Sequence, residues 1–271
     1  MKINGSIRLA ALVASVLIST LSSGMNTYAH AAPTQKAVKS AAIIIDDFGN
    51  NMKGTPEIIG LPYNITIAVM PFLPTTKQDA EAAYAAGKEV IVHMPMEAKS
   101  GKSSWLGPGA ITVNLSDDEV RKRINLAIDE VPHAVGINNH MGSKITGDAR
   151  IMRIILEECK KRNLFFIDSH TNYRSIVCQT AKEVGVRCLE NQVFLDDVHT
   201  TGHVLKQMNE IAKRLETSST CIAIGHVGVG GNITANVLKT KLPELAQQHH
   251  FAKISELLAP AETAPSEQHQ H

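Results

Sequence analysis

Residues 41–49 read Ala-Ala-Ile-Ile-Ile-Asp-Asp-Phe-Gly, a short unbroken apolar run that stops on two carboxylates, Asp46 and Asp47. A run of this kind, bounded by polar residues, suits a strand buried on both faces, as in a parallel sheet. Similar runs recur at 65–70, 90–92, 134–137, 164–167, 193–195 and 221–224. Helical patterns separate them. Residues 76–86 are Ala-rich and stop at Gly87, and Ser116-x-x-Glu119 is a capping box that opens a helix running toward Val131-Pro132. Residues 148–162 carry Ile151, Ile154, Ile155 and Cys159 on one stripe, and Val204, Met208, Ile211 and Leu215 repeat that pattern. Strand and helix in alternation predict an α/β fold with a parallel sheet, open or closed into a barrel.

The polar residues cluster at one place in this alternation. Asp46-Asp47 ends the first run, His93 the third, Asn138-Asn139-His140 the fourth, Asp168-Ser169-His170 the fifth and Gly225-His226 the seventh. Parallel α/β sheets and barrels bind ligands at the carboxyl ends of their strands, so these distant segments are expected to meet in one cleft. Two or three imidazoles with a carboxylate suit Zn²⁺ or a similar divalent ion, with a position left open for water. A second carboxylate can take the water's proton. Neighbouring side chains on a strand point to opposite faces, so Asp46 and Asp47 can share a site only where the strand end relaxes.

Composition narrows the choice of partner. Lys plus Arg is 27 against 26 for Asp plus Glu, a net charge of +1 over 271 residues, which excludes a phosphate-neutralising nucleic-acid binder. At 44% hydrophobic and 20% charged, the chain is globular in character. Aromatics make up only 4%, so a broad stacking platform is not expected, and the single tryptophan, Trp105, becomes the candidate sugar contact. It lies in Gly-Lys-Ser-Ser-Trp-Leu-Gly-Pro-Gly, 101–109, where it can equally anchor the loop on the barrel. Gly228-Val-Gly-Gly231 lacks the full spacing of a phosphate-binding loop and reads as a loop shaped around His226.

The ends of the chain read differently. Lys2 and Arg8, the apolar run 9–21 and Ala29-His30-Ala31 mark residues 1–31 as a signal peptide. Residues 32–40 form a linker, 41–258 one domain, and 259–271 a disordered tail whose His269 and His271 end in solvent. The mature protein is then expected outside the cytoplasm, secreted or held in the periplasm or cell wall, with no stable membrane insertion. In that setting Cys178 and Cys188, which flank one short helix and turn, are able to pair; four buried thiols, with Cys159 and Cys221, are the alternative.

The motif series resembles the divergent polysaccharide deacetylase family, a distant branch of the polysaccharide deacetylase superfamily. It comprises Ile-Ile-Ile-Asp46-Asp47-Phe-Gly49, His93-Met-Pro-Met-Glu97, Gly136-Ile-Asn-Asn-His140-Met-Gly142-Ser143, Asp168-Ser169-His170-Thr171 and Ile224-Gly225-His226. The resemblance implies a distorted seven-stranded (β/α) barrel of the polysaccharide deacetylase type over about 41–257. It implies Asp46 as general base, Asp47 and His93 as metal ligands, and His226 as general acid. Asp168 matches an aspartate that orients catalytic groups, here His226 or the metal shell. The superfamily's His-x-x-x-His string departs here, with Glu97 in place of the second histidine; His140 is the candidate to complete the shell and Glu97 its competitor. The usual Arg-x-Pro-Tyr string is replaced by Asn138-Asn139-His140-Met141. The resemblance thus implies a divalent-metal hydrolase, zinc being the best-suited ion, that removes acetyl groups from a polysaccharide or cell-wall glycan. The lost histidine keeps open a wall-associated glycan-binding or regulatory protein without catalysis, and because one fold and metal shell serve several chemistries a metal hydrolase of another bond is the second alternative.

Overall fold

A computed structural model describes residues 39–258. The signal peptide at 1–31, all of the linker but Lys39 and Ser40, and the tail at 259–271 lie outside the described residues. Ser40 already opens the first strand, one residue before the predicted start of the domain.

The elements alternate as the apolar pattern requires. They are β1 (Ser40–Phe48), α1 (Thr55–Ile59), β2 (Thr66–Val69), α2 (Thr76–Ala85), β3 (Glu89–Met96), α3 (Asp117–Glu130), β4 (Ala134–Met141), α4 (Ala149–Lys161) and β5 (Phe165–Asp168). Then follow α5 (Val177–Val184), β6 (Cys188–Glu190), β7 (Val193–Phe194), α6 (Thr201–Thr217), β8 (Thr220–His226), α7 (Gly231–Leu245), β9 (His250–Phe251) and α8 (Ile254–Leu257). The sheet order is β6-β5-β4-β3-β2-β1-β8-β7, with β9 beside the start of β1, and its pairings are parallel. Each apolar run became a strand in its predicted order.

The barrel closes through one extended stretch. β6 pairs with β5 and β7 pairs with β8. Between them Asn191 N–H donates to the Asp168 carbonyl (2.9 Å), and Gln192 N–H donates to the Ile222 carbonyl (3.0 Å). The sixth run, 193–195, is therefore only the second half of a stave whose first half, 188–190, is too polar to read as apolar. A disulfide between Cys178 and Cys188 fastens this stave to α5. Cys159 and Cys221 remain as buried thiols, and burial pushes their pKa values up to about 12 and about 11.

Side-chain alternation sorts the strands into two environments. Ala41, Ile43 and Ile45 pack outward against the helices in the larger apolar cluster. Ala42 and Ile44 face the barrel interior with Ala68, Ile91, Phe165, Ile167, Ile222 and Ile224. Each fully buried Ile or Phe among them contributes about 1.5–3 kcal/mol. Gly136 leaves room for the Phe165 ring, since a Cβ there would lie 2.2 Å from it. The N-terminal end of the barrel is plugged by Ile254 of α8, with Leu257 and Leu258 packed beside it. Glu89 holds the plug: its carboxylate accepts from Ile254 N–H (2.9 Å), Ser255 N–H (3.2 Å) and Thr66 Oγ1 (2.9 Å). The predicted capping box closes on one side only. Ser116 Oγ accepts from Glu119 N–H (3.3 Å), while the Glu119 carboxylate turns to Arg123 (2.9 Å). Among the described residues no helix is long and apolar enough to cross a membrane.

Candidate active site

The polar layer continues the inward-facing series of the strands. In β1 the series 42, 44 reaches Asp46; in β3, Ile91 is followed by His93; in β4, Gly136 by Asn138; in β8, Ile224 by His226. Asp46, His93 and Asn138 are buried, so the barrel's apolar interior is capped by charge and amide. Asp47 joins this layer through backbone distortion. On β1, Ile45 pairs with Ile67 but Phe48 with Val69, an extra residue that makes a bulge. Asp47 sits at φ 72°, a left-handed conformation costing of order 1–3 kcal/mol, and this brings both carboxylates to one pocket.

Three donors converge there. Asp47 Oδ1 lies 3.1 Å from His140 Nδ1 and 3.3 Å from His93 Nε2, and those two nitrogens are 3.1 Å apart. A tetrahedral ion with bonds of about 2.0–2.1 Å spaces its donors roughly 3.3 Å apart, so the triangle fits zinc or an ion of similar size. Asp47 Oδ1 is buried and finds no partner of hydrogen-bond geometry, despite the short approaches to both rings. The far side of each ring fixes its tautomer. His93 Nδ1 meets Asn138 Oδ1 at 2.8 Å, and Asn138 Nδ2 donates to Asp46 Oδ1 (2.8 Å), which settles the amide's orientation. His140 Nε2 meets the Trp105 carbonyl at 3.0 Å. Both acceptors require the ring proton on that far nitrogen, leaving lone pairs directed at the triangle.

The electrostatics follow from burial and pairing. Burial raises the pKa of Asp46, and this outweighs the pull of His93 and His226. For Asp47 burial acts the same way, but the close approach of the His140 and His93 ring nitrogens, and then their charge, holds it well below the usual range. Burial disfavours a charge on His93, yet Asp46 and Asp47 outweigh it and raise its pKa, so proton and cation compete for one lone pair.

His226 is held in another way. Its Nδ1 bonds Asp196 Oδ1 (2.8 Å) and its backbone N–H donates to Asp196 Oδ2 (2.8 Å), which also accepts from Thr234 Oγ1 (2.7 Å). Burial opposes a charge on the ring, but the Asp196 bond, then the charges of Asp46 and Asp196, push its pKa up to about 9. In return His226 holds Asp196 below the usual carboxylate range against the effect of burial. Asp46, Asp47, His93, His140 and His226 share one cavity of about 210 Å³.

The structure thus brings together five of the predicted site residues and relocates one role. Asp168 does not reach His226; its Oδ1 accepts from His170 N–H (2.9 Å) and its Oδ2 is buried without a partner. Asp196 takes the orienting role instead. It directly follows the sixth apolar run, so the strand-end rule that found the others applies to it too. Glu97 does not compete for the metal, because it accepts from Val113 N–H (2.8 Å) and Lys144 Nζ (2.5 Å). Asn138, which orients both His93 and Asp46, is legible only as part of a string. Trp105 contributes its carbonyl to His140, while its ring stands 59% exposed. The glycine loop is structural: a Cβ on Gly231 would lie 2.1 Å from the Lys53 carbonyl.

Comparison with known proteins bears on the family and the fold. Residues 43–258 match the family model described as divergent polysaccharide deacetylase. An uncharacterized protein of Haemophilus influenzae is 34% identical over 190 residues, which cover 70% of this chain and 67% of that protein. The crystal structure of an uncharacterized protein from Agrobacterium tumefaciens C58 superposes with a TM-score of 0.76 at 16% identity, covering 83% of this chain and 91% of that one. The Bc1960 peptidoglycan N-acetylglucosamine deacetylase superposes with a TM-score of 0.50 at 11% identity, over 86% of this chain and 92% of that one. At these identities the superpositions speak for the fold alone.

Proposed function

The chain belongs to the divergent polysaccharide deacetylase family, and from that premise we propose that it is an exported, metal-dependent hydrolase of acetyl groups on a cell-wall or surface glycan. The observation that carries this reading is the Asp47–His93–His140 triangle set beside Asp46 and His226 in one cavity. His140 supplies the donor that Glu97 does not, so the missing histidine of the superfamily string is no argument against a complete shell. The peptidoglycan deacetylase named above gives the substrate class its direction. Export is supported by the signal-like segment at 1–31 and by the disulfide between Cys178 and Cys188, a bond favoured in oxidising compartments.

Asp47, His93 and His140 would hold the ion. When bound, a divalent cation supplies Lewis acidity and brings hydroxide within reach near neutral pH. Asp46 Oδ1 accepts from Asn138 while Oδ2 lies 3.6 Å from His93 Nε2, beyond hydrogen-bond reach, and its raised pKa makes it the stronger base for the attacking water's proton. His226 retains its proton up to about pH 9 and passes it from Nε2 to the departing amine or alkoxide. Asp196 keeps that ring in place through Nδ1. The C–N or C–O bond of the acetyl group breaks, and acetate and the free sugar amine or hydroxyl leave.

The test is acetate release from acetylated oligosaccharides by the metal-loaded protein beside Asp46→Asn and His226→Ala. Loss of turnover in both supports the assignment, whereas undiminished release in both overturns it. Elemental analysis of Asp47→Ala and His140→Ala tests the metal site separately; wild-type metal content in both would move the ion elsewhere.

A further inference from the structure

Two exposed aromatic rings stand on the loops that follow β3 and β5, and each has a cation against it. Trp105 has Lys102 Nζ 5.7 Å from its ring centroid. Tyr173, 84% exposed, has the Arg174 guanidinium 5.5 Å from its centroid. The loops form one surface: Lys99 Nζ donates to Asn172 Oδ1 (3.1 Å), and Thr171 Oγ1 donates to the Met141 carbonyl (2.7 Å) at the end of β4. On the other side the position of a Cβ on Gly101 lies 3.0 Å from the Met141 methyl and 3.6 Å from the Trp105 ring, so that loop rests on the same residue. Because the Trp105 carbonyl bonds His140, this surface borders the donor triangle.

Its charge is one-sided. Within 97–116 and 169–176 the acidic residue is Glu97, which Lys144 neutralises. Lys99, Lys102 and Arg174 have no carboxylate partner among the described residues. Exposed rings offer an apolar face to a pyranose, and flanking cations on separate loops offer charge-assisted bonds to acids spaced along a chain. A neutral glycan uses the rings and leaves the cations idle.

We propose that this surface selects an anionic substrate: an acetylated glycan that carries carboxylates on the sugars next to the one entering the pocket. The inference rests on the deacetylase reading and sharpens its substrate class. Calorimetric binding to the Asp46→Asn protein separates it from turnover. The probes are a hexasaccharide alternating N-acetylglucosamine with glucuronate and the same compound with its carboxylates reduced to alcohols. The carboxylated form is expected to bind roughly tenfold tighter at low salt, with the gap narrowing as ionic strength rises. Lys102→Gln with Arg174→Gln is expected to erase most of the gap, and Lys239→Gln, at an exposed position of α7, to leave it intact. Equal affinity for both sugars, no binding of either, or a gap that survives the double substitution would each overturn the proposal. Acetate released by wild type from both forms at equal kcat/KM would spare the deacetylase reading and defeat the charge preference. Selective binding with acetate released from neither would do the reverse.

Discussion

His93 and His140 on one side of the pocket are backed by uncharged acceptors, the Asn138 amide and the Trp105 carbonyl, whereas His226 on the other is backed by the Asp196 carboxylate. An uncharged oxygen fixes the tautomer and leaves a lone pair on the inner nitrogen. A carboxylate on the outer nitrogen stabilises the imidazolium and keeps the proton. The aspartates near His93 lie on its inner side, where a cation can take the proton's place. The group behind each ring therefore divides identical side chains into ligands and a proton donor.

The contrast can be broken most completely at its metal side. Asp47→Ala is expected to drop metal content to background and turnover by about 10⁴-fold or more, read by elemental analysis and acetate release. Asp46→Asn should lower kcat by about 10²–10⁴ with metal retained, which separates proton transfer from ligation. Asn138→Ala removes the uncharged backing of His93 and should weaken metal affinity by about 10- to 100-fold, measured by competition with a chelator. On the other side, Asp196→Asn should move the alkaline limb of the kcat profile down from about pH 9 toward the ordinary histidine value of 6.5. The same pair affects stability, and the sign is fixed by the raised pKa. Its contribution is fully present below about pH 6.5 and is lost as pH rises through about 9, so wild-type Tm should fall over that interval and the Asp196→Asn Tm should change less. Paired Cys178→Ala and Cys188→Ala should cost about 2–4 kcal/mol in denaturant unfolding and leave metal content unchanged.

The sequence made the barrel legible because alternation and strand-end polarity are local properties. Apolar residues at 42 and 44 announce the direction in which Asp46 points, and 91 does the same for His93. Two adjacent acids implied a distortion, and the bulge with Asp47 at φ 72° is that distortion. What stayed hidden depends on contacts between distant segments. Nothing near Glu97 shows that Lys144 will neutralise it, 47 residues away. Asp196 was hidden for another reason: its stave splits its pairing between two neighbours, so its apolar half is short, and the acid after it reads as loop. Asp168 ends the fifth run and matches an orienting aspartate of the family the motifs resemble, yet the contact with His226 is made by Asp196.

That divided stave gives the barrel a seam. Its hydrogen bonds are shared between β5 and β8, and neither half runs beyond three residues, so local opening in hydrogen exchange should begin there while β1 and β3 stay protected. Asp196 stands at the end of the same stave, so a molecule unzipped at that point would release His226 to its ordinary acidity before the core or the metal ligands come apart.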